Sequence, residues 1–137
     1  MAAPPLVDAT AIDGLLRAAR AAGTRAHVPY SRFHVGAAVL DADGTVVGGC
    51  NIENASYGLA VCGERTAMFA AVAAGHRQLV ALAVSCLDGD PDHPATLMPC
   101  GACRQVMAEL LAPGAVIAVD GVGRFTLDEL LPRAFSL

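Results

Sequence analysis

The 137-residue chain is long enough for one domain, and a domain of this size buries about 68–70% of the surface that its unfolded form exposes. A net charge of −4, the absence of lysine and an aromatic content of 4% disfavour binding of nucleic-acid polymers, which depends on clustered cations and stacking side chains. A small, weakly charged ligand fits better, and the hydrophobic content of 55% indicates contacts between subunits.

The amino-terminal stretch carries no basic segment, and Asp8 and Asp13 interrupt any apolar run that could serve as a secretion signal or membrane span. We therefore expect a cytoplasmic protein with no membrane association. We expect one domain over residues 1–137, of which residues 1–7 are flexible.

The first half of the chain contains two predicted helices and a hairpin. Apolar periodicity predicts a helix over residues 8–25. Two β-prone runs, 33–40 and 45–49, flank Asp41-Ala42-Asp43-Gly44, a turn sequence typical of an antiparallel hairpin. Residues 64–74 are apolar in every direction, which predicts a helix that is buried on all sides.

The second half continues the alternation of strands and helices. The continuous apolar run 79–86 is typical of a central strand that is covered on both faces of a sheet. Residues 100–111 form a predicted helix opened by Pro99, 115–119 a second buried strand and 127–131 a short helical turn. This order predicts an α/β sandwich with a mixed sheet.

Three cysteines and a glutamate form the pattern that carries chemistry, Cys62-Gly63-Glu64 followed by Pro99-Cys100-Gly101-Ala102-Cys103. Three protein ligands leave a fourth tetrahedral position at zinc, where a water can be held and activated. The spacing matches the signature of zinc deaminases, with Cys62 in the place of a histidine. We therefore predict one catalytic Zn²⁺ per chain, bound by Cys62, Cys100 and Cys103 at the starts of two helices, where thiolates are stabilised.

Glu64 lies two residues after a ligand, within reach of a water at the metal, so we predict that it is the catalytic proton shuttle. Three thiolates and one zinc ion sum to a charge of about −1, which weakens the Lewis acid. Arg65 is the candidate that offsets this charge by donating to the thiolates. The negative surroundings should also raise the pKa of Glu64.

Motifs outside the metal site add a resemblance that covers roughly residues 8–137. The chain resembles the small, free-nucleoside cytidine deaminases, which implies a three-layer α-β-α sandwich with a mixed five-stranded sheet. It implies a hydrolase of pyrimidine salvage that converts cytidine and deoxycytidine to uridine and deoxyuridine, and a homotetramer with shared active sites. The resemblance rests on Pro29 to Phe33, Val35 to Ala38, Gly49 to Tyr57, Glu64 to Ala67, and Glu129 to Pro132 with Ala134-Phe135.

The same resemblance implies substrate contacts. Asn51 and Glu53 alternate on an extended segment and would bind the ribose hydroxyls. Members of the family usually have alanine where this chain has Gly63, so glycine should keep the backbone contact to the base but loosen the loop. The other implied contacts are Phe33, and, reaching in from neighbouring subunits, Ala55, Tyr57 and Phe135.

Three alternatives remain beside this interpretation. The substrate could be another cytosine-bearing small molecule, such as an aminoacylnucleoside antibiotic. The cysteines could instead form a non-catalytic structural zinc site or a thiol-redox module. Cys50 and Cys86 are predicted to be core residues, and the four histidines to be structural or solvated.

Overall fold

The computed structural model describes residues 7–137. Of the stretch predicted to be flexible, residues 1–6 therefore lie outside the described part, whereas Val7 is half-buried against the core. Within residues 7–137, no helix combines the length and apolarity needed to cross a membrane. The elements in chain order are α1 (Ala9–Gly23), β1 (Val35–Asp41), β2 (Val46–Cys50), α2 (Gly63–Ala73), β3 (Leu79–Cys86), α3 (Gly101–Leu110), β4 (Leu111–Val119), β5 (Gly123–Phe125) and α4 (Leu127–Leu130).

The strands form one mixed sheet in the order β2-β1-β3-β4-β5. Only the pair β3–β4 is parallel, and β1–β2, β1–β3 and β4–β5 are antiparallel. Ile12, Leu15 and Ala19 of α1 cover one face of the sheet, while α2, α3 and α4 pack on the other. The predicted three-layer α-β-α sandwich with five strands is thus confirmed.

Strand β3 occupies the centre of this sheet, as its continuous apolar sequence predicted. Seven of its eight residues are buried, because β1 and β4 flank it and helices cover both faces. Its last residue, Cys86, is half-buried where the strand opens toward the loop that leads to Cys100. The carboxyl end of β3 therefore faces the predicted metal ligands.

The edge of the sheet differs from what the local patterns indicated. These patterns gave four strands, and β5 was implied only by the family resemblance, because its three residues are too few to show a period. Strand β4 begins at Leu111, directly after α3, and not at residue 115. Leu111 pairs with Leu79 before the register shifts, so residues with low strand propensity, Pro113 and Gly114, lie inside the strand.

The prediction that α2 is buried on all sides is wrong for the single chain. Its sheet-facing side is buried, but Ala70, Ala73 and Phe69 are exposed, and Phe69 keeps 48% of its surface accessible. The sheet can cover only one side of a helix that lies on it, and no other element reaches the outer side within the described residues. An apolar helix face is therefore left at the surface.

Two glycines let the helices contact the sheet through backbone atoms. A Cβ at Gly49 of β2 would overlap the backbone nitrogen of Ala67 in α2. A Cβ at Gly36 of β1 would overlap the backbone carbonyl oxygen of Ala19 in α1. The distance of both helices from the sheet is thus fixed at positions where only glycine fits.

Candidate functional site

The three cysteines meet where two helices begin. Cys62 is the N-cap residue of α2 and Cys100 that of α3, and Cys103 lies in the first turn of α3. Neither N-cap side chain makes a capping hydrogen bond to the backbone N–H groups of its helix, so both sulfur atoms are available for other partners. The unpaired backbone N–H groups and the positive dipole ends of both helices favour negatively charged sulfur at this point.

The spacing of the sulfur atoms fits a zinc ion. Cys62 Sγ lies 3.7 Å from Cys100 Sγ, Cys100 Sγ lies 3.6 Å from Cys103 Sγ, and all three lie within 4.8 Å of one another. Tetrahedral zinc with bonds of about 2.3 Å separates its sulfur ligands by about 3.8 Å. Soft thiolates at this spacing are the donor set that zinc prefers, and three of them leave one position open.

Arg65 lies beside this cluster. Its Nη2 atom donates to Cys62 Sγ at 3.4 Å. Hydrogen bonds from the Cys103 thiol and from Arg65 lower the pKa of Cys62 to about 5. The guanidinium is thus within bonding distance of a predicted metal ligand, which is the position that charge compensation of the thiolates requires.

Glu64 is buried in the first turn of α2, with 4% of its surface exposed. Burial raises the pKa of its carboxyl to about 7, and the negative charge of Cys62 contributes less. The direction agrees with the prediction, but the main cause is removal from water and not the neighbouring charge. A carboxyl with a pKa near neutrality can both accept and release a proton at physiological pH.

A cavity of about 350 Å³ at the far end of the fold contains none of the predicted residues, whereas two smaller cavities contain most of them. A cavity of about 180 Å³ brings together Phe33, Asn51, Cys62, Gly63, Glu64 and Cys100. A second cavity of about 320 Å³ is lined by Tyr30, Ser31, Glu53, Asn54, Tyr57 and Ala60. We refer to these as the metal cavity and the tyrosine cavity.

Three predicted contact residues lie at the surface of the chain. Ala55 is exposed, Tyr57 exposes 84% of its surface and Phe135 exposes 68%. Among them only Tyr57 lines either of the two cavities. The described residues of one chain therefore do not bring Ala55 or Phe135 to the metal cavity.

Comparison with known proteins places this geometry in a family. The sequence model of the cytidine and deoxycytidylate deaminase zinc-binding region matches residues 10–119. The chain belongs to this family. The cytidine deaminase of Halalkalibacterium halodurans is 49% identical over 126 residues, 89% of this chain and 92% of that protein. That of Mycobacterium tuberculosis (strain H37Rv) is 50% identical over 117 residues, 85% of this chain and 83% of that protein.

A solved structure supports the same family assignment. The crystal structure of cytidine deaminase from Burkholderia pseudomallei superimposes with a TM-score of 0.81 at 46% identity, covering 90% of this chain and 98% of that one. Blasticidin-S deaminase of Bacillus cereus is more distant, at 27% identity over 77% of this chain and 79% of that protein. The zinc-binding region of the family and the three-cysteine cluster together identify Zn²⁺ as the cofactor.

In this family member, Asn51 and Glu53 hold the segment that carries Phe33. Asn51 accepts from the Val35 amide at 2.9 Å and donates to the Phe33 carbonyl at 2.8 Å. Glu53 Oε1 accepts from the amides of Tyr30 and Ser31 at 3.0 and 3.1 Å. Each side chain keeps further bonding capacity, namely the second amide hydrogen of Asn51 and Oε2 of Glu53.

Gly63 lies close to β1 and to the start of the Asn51 segment. A Cβ at this position would lie 3.1 Å from the Val35 carbonyl oxygen and 3.4 Å from the Asn51 amide nitrogen. The contact with Val35 is tight, so an alanine would require β1 to shift by a few tenths of an ångström. Glycine here lets α2 begin close to β1.

Sequence reasoning missed part of the metal-cavity wall. Cys86, predicted to be a core residue, packs against the core but also lines the cavity, together with Met98. Its thiol donates to the Leu97 carbonyl at 3.8 Å, and burial raises its pKa to about 11. The signal that could have found it is its position at the carboxyl end of a central strand, where sites in α/β folds are formed.

A second group of potential ligands, Asp41, Asp43 and His76, lies at the hairpin end of β1, away from the metal cavity. Asp41 accepts from the backbone amides of Gln78 and Asp43 at 3.2 and 3.1 Å. Asp43 in turn accepts from the Thr45 amide at 2.8 Å. These bonds to turn amides explain the cluster as part of the hairpin.

Proposed function

We propose that the chain catalyses the hydrolytic deamination of cytidine and deoxycytidine to uridine and deoxyuridine, with release of ammonia. The observation that carries this proposal is the buried Glu64 beside three convergent cysteine sulfurs in one cavity with Asn51 and Phe33. Family membership and the named relatives support the same reaction. We further propose that one domain, spanning the chain, performs it.

Zinc bound by the thiolates supplies a Lewis acid that lowers the pKa of a water molecule and so provides a nucleophile near neutral pH. Glu64 takes the proton of this water as it adds to C4 of the cytosine ring and passes that proton to ring N3. Glu64 then takes the second proton from the hydroxyl group now on C4 and carries it to the exocyclic amino group, so that the C4–N bond breaks, the C4 carbonyl of uracil forms and ammonia leaves. Its pKa of about 7 suits both directions of transfer.

The remaining site residues bind and orient the nucleoside in this proposal. Phe33 packs against the base, the Gly63 backbone contacts it, and Asn51 and Glu53 bind the ribose through the bonding capacity that the Tyr30–Val35 segment leaves open. Arg65 reduces the negative charge on the thiolates. Removal of any of these groups should affect binding or metal retention more than proton transfer.

We also propose that the active unit is a homotetramer in which Ala55, Tyr57 and Phe135 reach neighbouring active sites. Their exposure in the single chain, together with the exposed apolar face of α2, supports burial by other copies. None of the five cysteines, all among the described residues, forms a disulfide, which supports a reducing, cytoplasmic location. We also propose a role in pyrimidine salvage, to which deamination of cytidine belongs.

The test is an ultraviolet assay for conversion of cytidine to uridine by the zinc-loaded protein. Glu64→Gln should lower turnover by about 10²–10⁴-fold, the usual contribution of a general acid–base group, while zinc content stays at one per chain. Glu109→Gln, an exposed change on α3, is the control. Unchanged turnover in Glu64→Gln would show that Glu64 is not the proton shuttle, whereas no turnover in either protein, with zinc retained, would support the non-catalytic zinc or redox module instead.

The assay also decides between substrates. Cytidine and an aminoacylnucleoside antibiotic such as blasticidin S are compared at equal concentrations. The higher identity to cytidine deaminases than to blasticidin-S deaminase favours cytidine. A kcat/KM that is higher for the antibiotic would overturn this choice.

A further inference from the structure

Arg104 follows Cys103 in α3 and bridges two distant parts of the chain. Its Nε donates to the Pro99 carbonyl at 2.8 Å and its Nη1 to the Leu130 carbonyl at 2.8 Å. Pro99 is buried and directly precedes Cys100, and Leu130 is the last residue of α4. One half-buried guanidinium thus joins the segment that enters the metal site to the start of the carboxy-terminal tail.

The next side chain holds the same tail further on. Gln105 Nε2 donates to the backbone carbonyl of Phe135 at 3.1 Å. Residues 132–137 are exposed and follow α4 without helix or strand. Two consecutive residues of α3 therefore fix the tail at two points, one before Phe135 and one at Phe135 itself.

The chemistry of the Arg104 side chain explains why one residue can bond to both Pro99 and Leu130. A guanidinium is planar and presents several N–H donors in a fixed arrangement, so it can bond two carbonyls in set directions. The Pro99 carbonyl belongs to the residue that precedes the N-cap, and its direction sets how the chain enters α3. That direction in turn sets where Cys100 Sγ lies relative to Cys103 Sγ, 3.6 Å away.

We propose that Arg104 and Gln105 are positioning residues, Arg104 for the segment that carries Cys100 and both for the tail that carries Phe135 toward the site of a neighbouring copy. Arg104 holds both the Cys100 ligand segment and the tail, whereas Gln105 holds only the tail at Phe135. The part of the proposal that concerns the tail, here called the tail arm, rests on the proposed function, because placing Phe135 matters only if it contacts a nucleoside in a neighbouring copy. The part that concerns the Cys100 segment, here called the ligand arm, predicts an effect on metal retention and does not depend on the proposed function.

The chain offers a matched control. Arg77 also donates to two backbone carbonyls, those of Val72 and His76 at 2.7 and 3.0 Å, near the end of α2. It lines neither cavity described above. Arg77→Lys therefore reproduces the general loss of an arginine bridge without touching the ligand segment or the tail.

The experiment compares Arg104→Lys, Gln105→Met and Arg77→Lys after loading with one zinc per chain. Three quantities are measured, namely the rate of zinc transfer to an excess of a chromophoric chelator, the KM and kcat for cytidine, and the melting temperature. We expect Arg104→Lys to release zinc about tenfold faster, the lower end of the effect of losing an outer partner of a metal site. We expect both Arg104→Lys and Gln105→Met to raise KM about fivefold, the effect of one lost hydrogen bond, with kcat changed less than about twofold.

Gln105→Met should leave zinc release unchanged, and Arg77→Lys should alter only the melting temperature. The ligand arm is overturned if Arg104→Lys matches Arg77→Lys in zinc release, and the tail arm is overturned if Arg104→Lys or Gln105→Met leaves KM unchanged. Should the unsubstituted chain fail to deaminate cytidine, the proposed function and the tail arm fail together. The zinc-release comparison of Arg104→Lys with Arg77→Lys would then still decide the ligand arm.

Discussion

The metal centre and the rim of the site are built in different ways. Cys103 is 0% exposed and Glu64 4%, and both lie in the first turns of helices packed on a central sheet. Tyr57 and Phe135, by contrast, are 84% and 68% exposed, on a short turn and an irregular tail. One chain thus assembles the reactive groups, but it leaves most of the aromatic contacts at its surface.

This difference indicates that the geometry of the reactive groups and the surroundings of the exposed aromatic residues have separate origins. The reactive groups are fixed by contacts within one chain, so their geometry should persist in an isolated subunit. In the proposed homotetramer, the aromatic rim would be covered by another copy. Substitutions in the two regions should therefore separate into effects on metal and turnover and effects on KM.

The largest effect is expected from a metal ligand. Cys103→Ser replaces a buried thiolate by a hydroxyl, a much poorer zinc ligand. Zinc affinity and turnover should fall by more than the roughly 10–100-fold that loss of an outer partner costs. Metal analysis after dialysis and the cytidine assay measure both, with Cys50→Ser, outside the cluster, as control. One retained zinc per chain with full turnover would contradict the assignment.

Arg65→Gln should have the next largest effect. It removes the cation that donates to Cys62 Sγ at 3.4 Å, so we expect a loss of about 10–100-fold in zinc affinity or turnover. Competition with a chelator and steady-state kinetics measure the two losses. Arg124→Gln, at an exposed position in β5, is the control. If zinc retention and turnover both stay at the level of the control, Arg65 does not compensate the thiolates.

Phe135→Ala tests whether the rim belongs to a neighbouring copy. Loss of an aromatic contact should raise KM about tenfold, while zinc content and the kcat extrapolated to saturation change little. Mixing Phe135→Ala with Glu64→Gln subunits, followed by dissociation and reassembly, should produce sites with both wild-type residues and restore turnover at low cytidine. No recovery in verified hybrid oligomers would place Phe135 outside its neighbour's site.

The smallest effect is expected on the face opposite the metal centre. Asp120 accepts two hydrogen bonds from Arg20, at 2.7 and 2.8 Å, and one from Ser85 at 2.8 Å. These bonds lower the pKa of Asp120, Arg20 having the larger effect. Asp120→Asn should lower the free energy of unfolding by about 0.5–1 kcal/mol at pH 7, since Arg20 is half exposed and solvent screens the pair. KM and kcat should not change.

The contribution of Asp120 to stability depends on pH, and the sign of this dependence follows from the lowered pKa of Asp120. The contribution of Asp120 is present in full above the unfolded-state pKa of about 3.9 and is lost as the pH falls through the lower folded-state pKa. Denaturant unfolding of both proteins between pH 7 and pH 3 should therefore show the difference shrinking toward acid. Asp92→Asn, in an exposed loop, is the control. A difference that grows toward acid would refute the ion-pair explanation.

The sequence was sufficient for the features that local chemistry determines. The spacing of Cys62, Cys100 and Cys103 was enough to predict their convergence, because each sits at a helix start next to the sheet. The uninterrupted apolar run of β3 was enough to place it at the centre. The signal for β3 lies in one short stretch, and that for the cysteines in two short motifs whose first ligands are 38 positions apart.

The remaining features depend on contacts between distant parts of the chain. Strand β5 is three residues long and forms only because β4 offers it an edge. The exposed side of α2 follows from how much of the helix the sheet can cover. The bridge from Arg104 to Leu130 joins residues 26 positions apart, and no periodicity or motif reports such a pairing.

Gly49 has a consequence for how this fold can vary among related chains. Since a Cβ there would overlap the Ala67 backbone, α2 lies against β2 through main-chain atoms and not through interchangeable side chains. Substitutions among apolar residues elsewhere in the core can then change the stability of the protein without shifting Cys62 or Glu64. Tolerance to mutation in the core and strict placement of the reactive carboxyl are thereby compatible in one small protein.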